Sequence, residues 1–204
     1  MTGYVDLHAH VLPSIDDGPA SLAESIELLS AMARTGVTTV AATSHVSAPY
    51  PNSARTLATA LERAAEAASA ESLPITVVKG AEIEMGMAMS LPDDDLRELC
   101  ISGTRWLLVE TPHARHPAGL AELVGDLRTR GFEVLIAHPE RNLNLQENPR
   151  ILQEAVAAGA VAQITGASLR GALGRAIQNT GWRFLEDGLA HIVASDAHLS
   201  LIHI

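Results

Sequence analysis

The chain has 204 residues, enough for one domain with a sizeable core, and 47% of them are hydrophobic but only 3% aromatic, so Ala, Val, Leu and Ile must build that core. A formal net charge of -10 disfavours nonspecific binding to nucleic acid, whose phosphates need a basic patch. One cysteine, Cys100, excludes an internal disulfide and fits a reducing compartment. No basic-then-apolar leader opens the sequence, and no apolar run approaches the roughly 18 residues of a membrane span. A cytoplasmic protein is the expectation.

In chain order, Val5 and Leu7 read as one face of a strand, with His8 and His10 following on the other. Residues two apart on a strand point to one side, so the two imidazoles project together. Asp17 lies seven residues after His10, and Gly18 after it permits a tight turn. Ser21 and Glu24 form an S-x-x-E capping box, and Leu22, Ile26, Leu29 and Ala33 recur at helical spacing up to Gly36. A strand over 37–42 runs into Thr43-Ser44-His45, and the alanine-rich stretch 54–70 reads as a surface helix. A strand over 75–78 precedes Gly80-Ala81-Glu82-Ile83-Glu84. The stretch 93–99 is a short helix opened by Pro92 and acidic residues, and 105–109 a strand that ends at Glu110. A helix over 120–129 stops at Gly131, and a strand over 134–137 ends at His138-Pro139-Glu140-Arg141. Helix 150–158, strand 161–164, helix 172–185 and strand 192–194 come next, the last ending at Ser195-Asp196-Ala197-His198.

Strand and helix alternate about seven times through short connections, which predicts parallel strands joined by right-handed crossovers. An open doubly wound sheet and a closed barrel both fit. The polar residues favour the barrel, because they sit at the C-terminal ends of many strands. No linker, repeat or low-complexity tract divides the chain, so residues 1–204 are expected to form a single domain.

The strand ends supply His8, His10 and Asp17; then His45, Glu82, Glu110 and His138; then Asp196 and His198. Five histidines and four carboxylates fall where a barrel converges its strand ends. A catalytic ion takes about three protein ligands, so nine suit three ions. Mixed N/O donors without thiolate suit Mn, Fe or Zn. Three divalent ions bring about +6 and four carboxylates about -4, and the surplus of about +2 matches a phosphate monoester dianion. Hydrolysis of a phosphate ester by metal-activated hydroxide, with no covalent intermediate, is the expected reaction. Each residue also has a plainer reading: His45 as a turn residue, Glu82 and Glu110 as helix caps, Asp17 as part of an Asx turn, Arg141 as a partner of Glu140 or Asp17. His113, His116, His191 and His203 read as surface or loop residues, Asp16 and Glu84 as supporting or solvated groups, and Cys100 as a small buried apolar residue. Arg105 lies five positions after Cys100 and does not fit a cysteine-phosphatase loop.

Asp6-Leu7-His8-Ala9-His10, Asp16-Asp17-Gly18-Pro19, Thr43-Ser44-His45, Gly80-Ala81-Glu82-Ile83, Ala137-His138-Pro139-Glu140-Arg141 and Ala194-Ser195-Asp196-Ala197-His198 resemble the PHP (polymerase and histidinol phosphatase) superfamily. Within it, the chain resembles the bacterial tyrosine-protein phosphatases of capsule and exopolysaccharide gene clusters, the CpsB/YwqE group. The resemblance implies an α/β fold, a distorted parallel (β/α)7 TIM-like barrel, with three divalent metal ions, manganese foremost. It implies that His8, His10, Glu82 and Asp196 hold one ion, that Glu82, Glu110 and His138 hold the second with Glu82 bridging, and that Asp17, His45 and His198 hold the third. Arg141 matches the arginine that contacts substrate phosphate, as suits a guanidinium fork, and with Asp196 and His198 makes up the implied catalytic set. The implied substrate is the phosphotyrosine-rich tail of a bacterial tyrosine kinase that regulates polysaccharide export. The alternatives are another phosphoesterase of this scaffold, acting on a small monoester such as histidinol phosphate, and a metal-binding fragment without turnover. Relatives carry an asparagine directly after the final histidine and a second phosphate-binding arginine a few residues on. Here Leu199 comes after His198 and no such arginine appears, so the usual C-terminal segment is expected to be missing and the first and last strands less covered.

Overall fold

A computed structural model describes residues 3–113 and 116–199. Its elements, in chain order, are β1 (Tyr4–Ala9), α1 (Leu22–Arg34), β2 (Val37–Ala42), β3 (His45–Val46), α2 (Ala54–Ala70), β4 (Thr76–Lys79), β5 (Glu82–Glu84), α3 (Met85–Ser90), α4 (Asp93–Leu99), β6 (Trp106–Glu110), α5 (Leu120–Thr129), β7 (Glu133–Ala137), α6 (Leu143–Glu147), α7 (Arg150–Ala157), β8 (Val161–Thr165), α8 (Gly166–Leu169), α9 (Arg175–Glu186) and β9 (Ile192–Ala194). All seven strands read from the sequence are there. The two short strands β3 and β5 are additional. They span two and three residues, too few to show an alternation.

The described residues fall into two compact units. The first takes in the chain up to Glu82, with Arg97–Thr104 and the segment from Ser195 onward. Its sheet runs β1-β2-β4, all parallel, with Thr39 to Ala42 of β2 paired in step with Thr76 to Lys79 of β4. On β1 the register slips: Asp6 pairs with Val40 and Ala9 with Ala42, so β1 carries one extra residue across Leu7 and His8. Such a bulge re-aims the side chains around it. After β2, Thr43 turns back to β1, its Oγ1 accepting the Ala9 N–H at 2.9 Å.

Helix α1 is capped by Ser21, whose Oγ accepts from Glu24 N at 3.3 Å. The return bond expected of a capping box instead goes one residue earlier, from Ala20 N to Glu24 Oε2 at 2.7 Å. Helix α2 has a full box built from Ser53 and Thr56. Its buried stripe is Leu57, Ala60, Ala64 and Ala68. Those small side chains allow α2 to lie close to its neighbours, α1 and β4.

The second unit holds Ile83–Leu96 and Arg105–Ala194. Strands β6, β7, β8 and β9 are parallel neighbours in that order. Glu110 pairs with Ala137, Ala137 with Gln163, and Thr165 with Ala194, which aligns the C-terminal ends of the strands. Helices α5 and α7 pack on each other, burying Leu123, Val124, Leu127, Leu152 and Ala155. The last helix begins at Arg175 rather than at the expected 172, because Gly171 (φ 81°) and Gly174 (φ 99°) hold a left-handed turn before it.

The largest fully buried side chains are Phe184 and a set of Leu and Ile, as the low aromatic content requires. Tyr4 and Val5 on β1 and Val193 on β9 are exposed. No helix among the described residues is long and apolar enough to cross a membrane. Residues 200–204, including His203, lie outside the described residues.

Candidate metal centre

In the first unit the site is assembled by pairing the segment 195–199 alongside β1. Ala9 forms a parallel bridge with Ala197, Asp196 N donates to His8 O at 2.8 Å, and His10 N donates to Ala197 O at 2.9 Å. Asp6 fastens the start of this segment: its Oδ1 accepts both His8 N at 3.2 Å and Ser195 N at 3.1 Å. Asp196 and His198 are thereby brought beside His8 and His10.

The side chains meet closely. His8 Nε2 lies 3.3 Å from Glu82 Oε2 and 3.3 Å from Asp196 Oδ1. His10 Nε2 lies 3.2 Å from the same Glu82 oxygen, 3.6 Å from Asp196 Oδ1 and 3.4 Å from His8 Nε2. All four residues are buried. On the more open side, Asp17 Oδ1 stands 3.2 Å from His198 Nε2, 3.6 Å from His45 Nε2 and 3.7 Å from His10 Nδ1. Donor atoms of His8, His10 and Glu82 lie within 4.8 Å of one another, as do those of His10, Asp17, His45 and His198. Seven sequence-predicted residues therefore gather in this unit.

Asp16 holds the cluster in shape. Its Oδ2 receives His10 Nδ1 at 2.9 Å and His45 N at 3.1 Å, and its Oδ1 receives Gly18 N at 3.0 Å. Gly18 is required here for space: a Cβ would fall 2.7 Å from His10 O and 3.1 Å from His10 Cβ. The expectation of a tight turn permitted by glycine thus becomes a requirement for close approach. Tyr50 stacks on the His45 ring, 5.5 Å between centroids and 8° between planes.

The charges in the cluster are strongly coupled. Burial alone would push the His8 imidazole down, but the carboxylates of Glu82 and Asp196 outweigh it and raise it to about 9. His10 is also buried, yet Asp16 and Glu82 lift it well above the usual imidazole range. For His45, burial wins and the shift is downward. Burial would raise the Asp16 carboxyl, but its bond to His10 holds it below the ordinary range. The hydrogen bond from His198 lowers Asp17 to about 2.

In the second unit, Glu110 Oε1 lies 3.9 Å from His138 Nε2. The register explains it: Glu110 pairs with Ala137, so His138 comes directly at the strand end. His113, read from sequence as a loop residue, joins them, with Nε2 3.5 Å from Glu110 Oε1. The signal was the short Glu110-x-x-His113 spacing. Glu140 is buried, which raises its carboxyl, and its Oε1 accepts Thr165 N at 3.0 Å and Ser168 Oγ at 2.7 Å. It anchors the 3₁₀ turn Pro139–Arg141, whose last residue, Arg141, is partly exposed. Among the described residues, His138 (φ 29°) and Asp196 (φ 50°) both have positive φ without being glycine. Strained backbone of this kind gathers at functional sites.

Imidazole and carboxylate donors in clusters, with no thiolate among them, fit divalent ions that accept mixed N/O ligands. Parallel α/β architecture with such donors after its strands defines the class: a metal-dependent enzyme fold of the PHP type. The chain belongs to the CpsB/CapC family of capsular polysaccharide synthesis, whose sequence model matches residues 4–202. It is 35% identical to tyrosine-protein phosphatase YwqE of Bacillus subtilis over 195 residues, 95% of this chain and 77% of the relative. It is 29% identical to tyrosine-protein phosphatase CpsB of Streptococcus pneumoniae, over 95% of this chain and 82% of that one. A solved structure from work on YwqE and CpsB, described as unique metal-dependent tyrosine phosphatases, superposes with a TM-score of 0.87 at 35% identity, covering 96% of this chain and 79% of that one. An organophosphorus hydrolase from Deinococcus radiodurans shares the fold at 14% identity and a TM-score of 0.56.

Proposed function

We propose that the chain is a metal-dependent protein-tyrosine phosphatase that hydrolyses phosphotyrosine on the tail of a bacterial tyrosine kinase regulating capsule or exopolysaccharide production. The observation that carries this reading is the first unit's gathering of His8, His10, Asp17, His45, Glu82, Asp196 and His198. It occurs in a chain of the CpsB/CapC family whose relatives bear the name tyrosine-protein phosphatase.

In this reading His8, His10, Glu82 and Asp196 hold one divalent ion and Asp17, His45 and His198 another. Glu110 and His138 serve a third in the second unit. Manganese is the foremost candidate, with iron and zinc compatible with the same donors. Bound ions supply Lewis acidity and an activated water for attack on phosphorus. The chain's own residues do the rest. Asp16 fixes the His10 ring so that its Nε2 edge faces Glu82 and His8. Asp196 and His198 are set in place by the backbone bonds to β1. Arg141, at the end of a turn secured by Glu140, offers a guanidinium whose fork matches phosphate oxygens.

A covalent thiol mechanism has no support, since Cys100 is buried and burial pushes its thiol up to about 11. The acidic net charge of -10 disfavours a nucleic-acid substrate, and the cytoplasm is the compartment proposed.

The test is an assay of the Mn²⁺-loaded protein on a phosphotyrosine peptide and on histidinol phosphate. Faster turnover of the peptide supports the reading, and faster turnover of the histidinol ester overturns the substrate class. Metal binding with no turnover of either would leave a binding protein in place of an enzyme.

A further inference from the structure

Loop 111–113 is held from two sides by the start of α6. The Asn142 amide donates to Pro112 O, and Leu143 N donates to His113 O at 2.9 Å. Asn142 is fully buried and is itself fixed by capping α6, its Oδ1 accepting Leu145 N at 2.9 Å. A buried, doubly bonded side chain therefore fixes the backbone that carries His113. The His113 ring sits 5.4 Å from the His138 ring, tilted by 41°. One donor atom each from Glu110, His113 and His138 lies within 4.8 Å of the others. An exposed loop histidine serving only as a surface group has no need of that arrangement.

We propose that His113 is a further protein ligand to the ion held by Glu110 and His138. The second unit's own share of the donors is then two imidazoles and one carboxylate, a mixed N/O set that suits a divalent ion. A second imidazole favours borderline ions such as Co²⁺ and Zn²⁺ over Mn²⁺ at this position. The His113 side chain is 45% exposed whereas that of His138 is 2% exposed, so His113 ligates from the solvent side and His138 from the buried side. This inference rests on the reading of Glu110 and His138 as metal ligands.

Metal-free protein is titrated with Co²⁺, and with Mn²⁺ in parallel, under chelator competition. The Co²⁺ visible absorption spectrum is recorded for wild type, His113→Ala, His113→Gln and His138→Ala, with circular dichroism to confirm folding. His113→Ala is expected to weaken one Co²⁺ equivalent by at least the roughly 10–100-fold that an outer partner of a ligand carries. It should change the Co²⁺ spectrum and weaken Mn²⁺ less. His113→Gln, closer in size and still polar, should show the same direction. Spectra and affinities of both His113 variants that match wild type, while His138→Ala loses an ion, overturn the proposal and leave the metal reading standing. No change in any variant, His138→Ala included, overturns both.

Discussion

Asp16 Oδ2 lies 2.9 Å from His10 Nδ1, and this contact decides which edge of the imidazole the cluster sees. An ionised carboxylate only accepts, so Nδ1 carries the proton and Nε2 is left for a metal. Asp16→Asn keeps the shape but removes the strong acceptor. Metal affinity of the first unit should fall by about 10–100-fold with the fold intact. Metal content by mass spectrometry and a circular dichroism spectrum measure the two parts. Unchanged affinity would remove Asp16 from its positioning role.

Protons and metal compete for the same imidazoles. With His8 raised from 6.5 to about 9, the metal-free protein holds that proton at neutral pH. The proton's contribution to stability is fully present below about 6.5 and is lost as the pH rises through about 9. Metal uptake should therefore release protons at pH 7 and strengthen as pH rises toward 9. Calorimetry in buffers of different ionisation enthalpy reads the number released. A value of zero at pH 7 contradicts the coupling.

Gly18→Ala places a methyl group 2.7 Å from a backbone oxygen of His10. The loop from His10 to Gly18 must shift, at about 1–3 kcal/mol for an overpacked site. Both thermal stability and first-unit metal affinity should drop together. A variant as stable and as well loaded as wild type would show that the loop yields freely.

Cys100 should be inert. Its thiol, raised to about 11, stays protonated at neutral pH. Iodoacetamide at pH 7.5 should leave activity and mass unchanged until the protein is unfolded. Cys100→Ser should retain turnover, and loss of activity on alkylation of the native protein would reopen a thiol route.

The candidate ligand residues are readable from sequence because they lie at the ends of the strands read there or in the loops that follow, and those strands are marked by apolar, β-branched runs. His8 and His10 need only the two-residue alternation, and His138 only the end of 134–137. Asp16, close to His10 in the chain, reads as a supporting group, but Asp6 and Asn142 are not readable in their holding roles, because their partners are distant. Asp6 meets Ser195 N across 189 positions, and Asn142 meets Pro112 across 30. His113 lies in a loop, as read, and its place beside Glu110 depends on the contact of that loop with Asn142 and Leu143. The start of α9 departs from expectation because Ala172 and Leu173 suit a helix, while the flanking Gly171 and Gly174 set the turn.

The clasp between Asp6 and Ser195 also orders events during synthesis. A ribosome adding about 5–20 residues per second makes the first two histidines many seconds before the segment that completes their cluster. The first unit's donor set is therefore incomplete until Asp196 and His198 have been made.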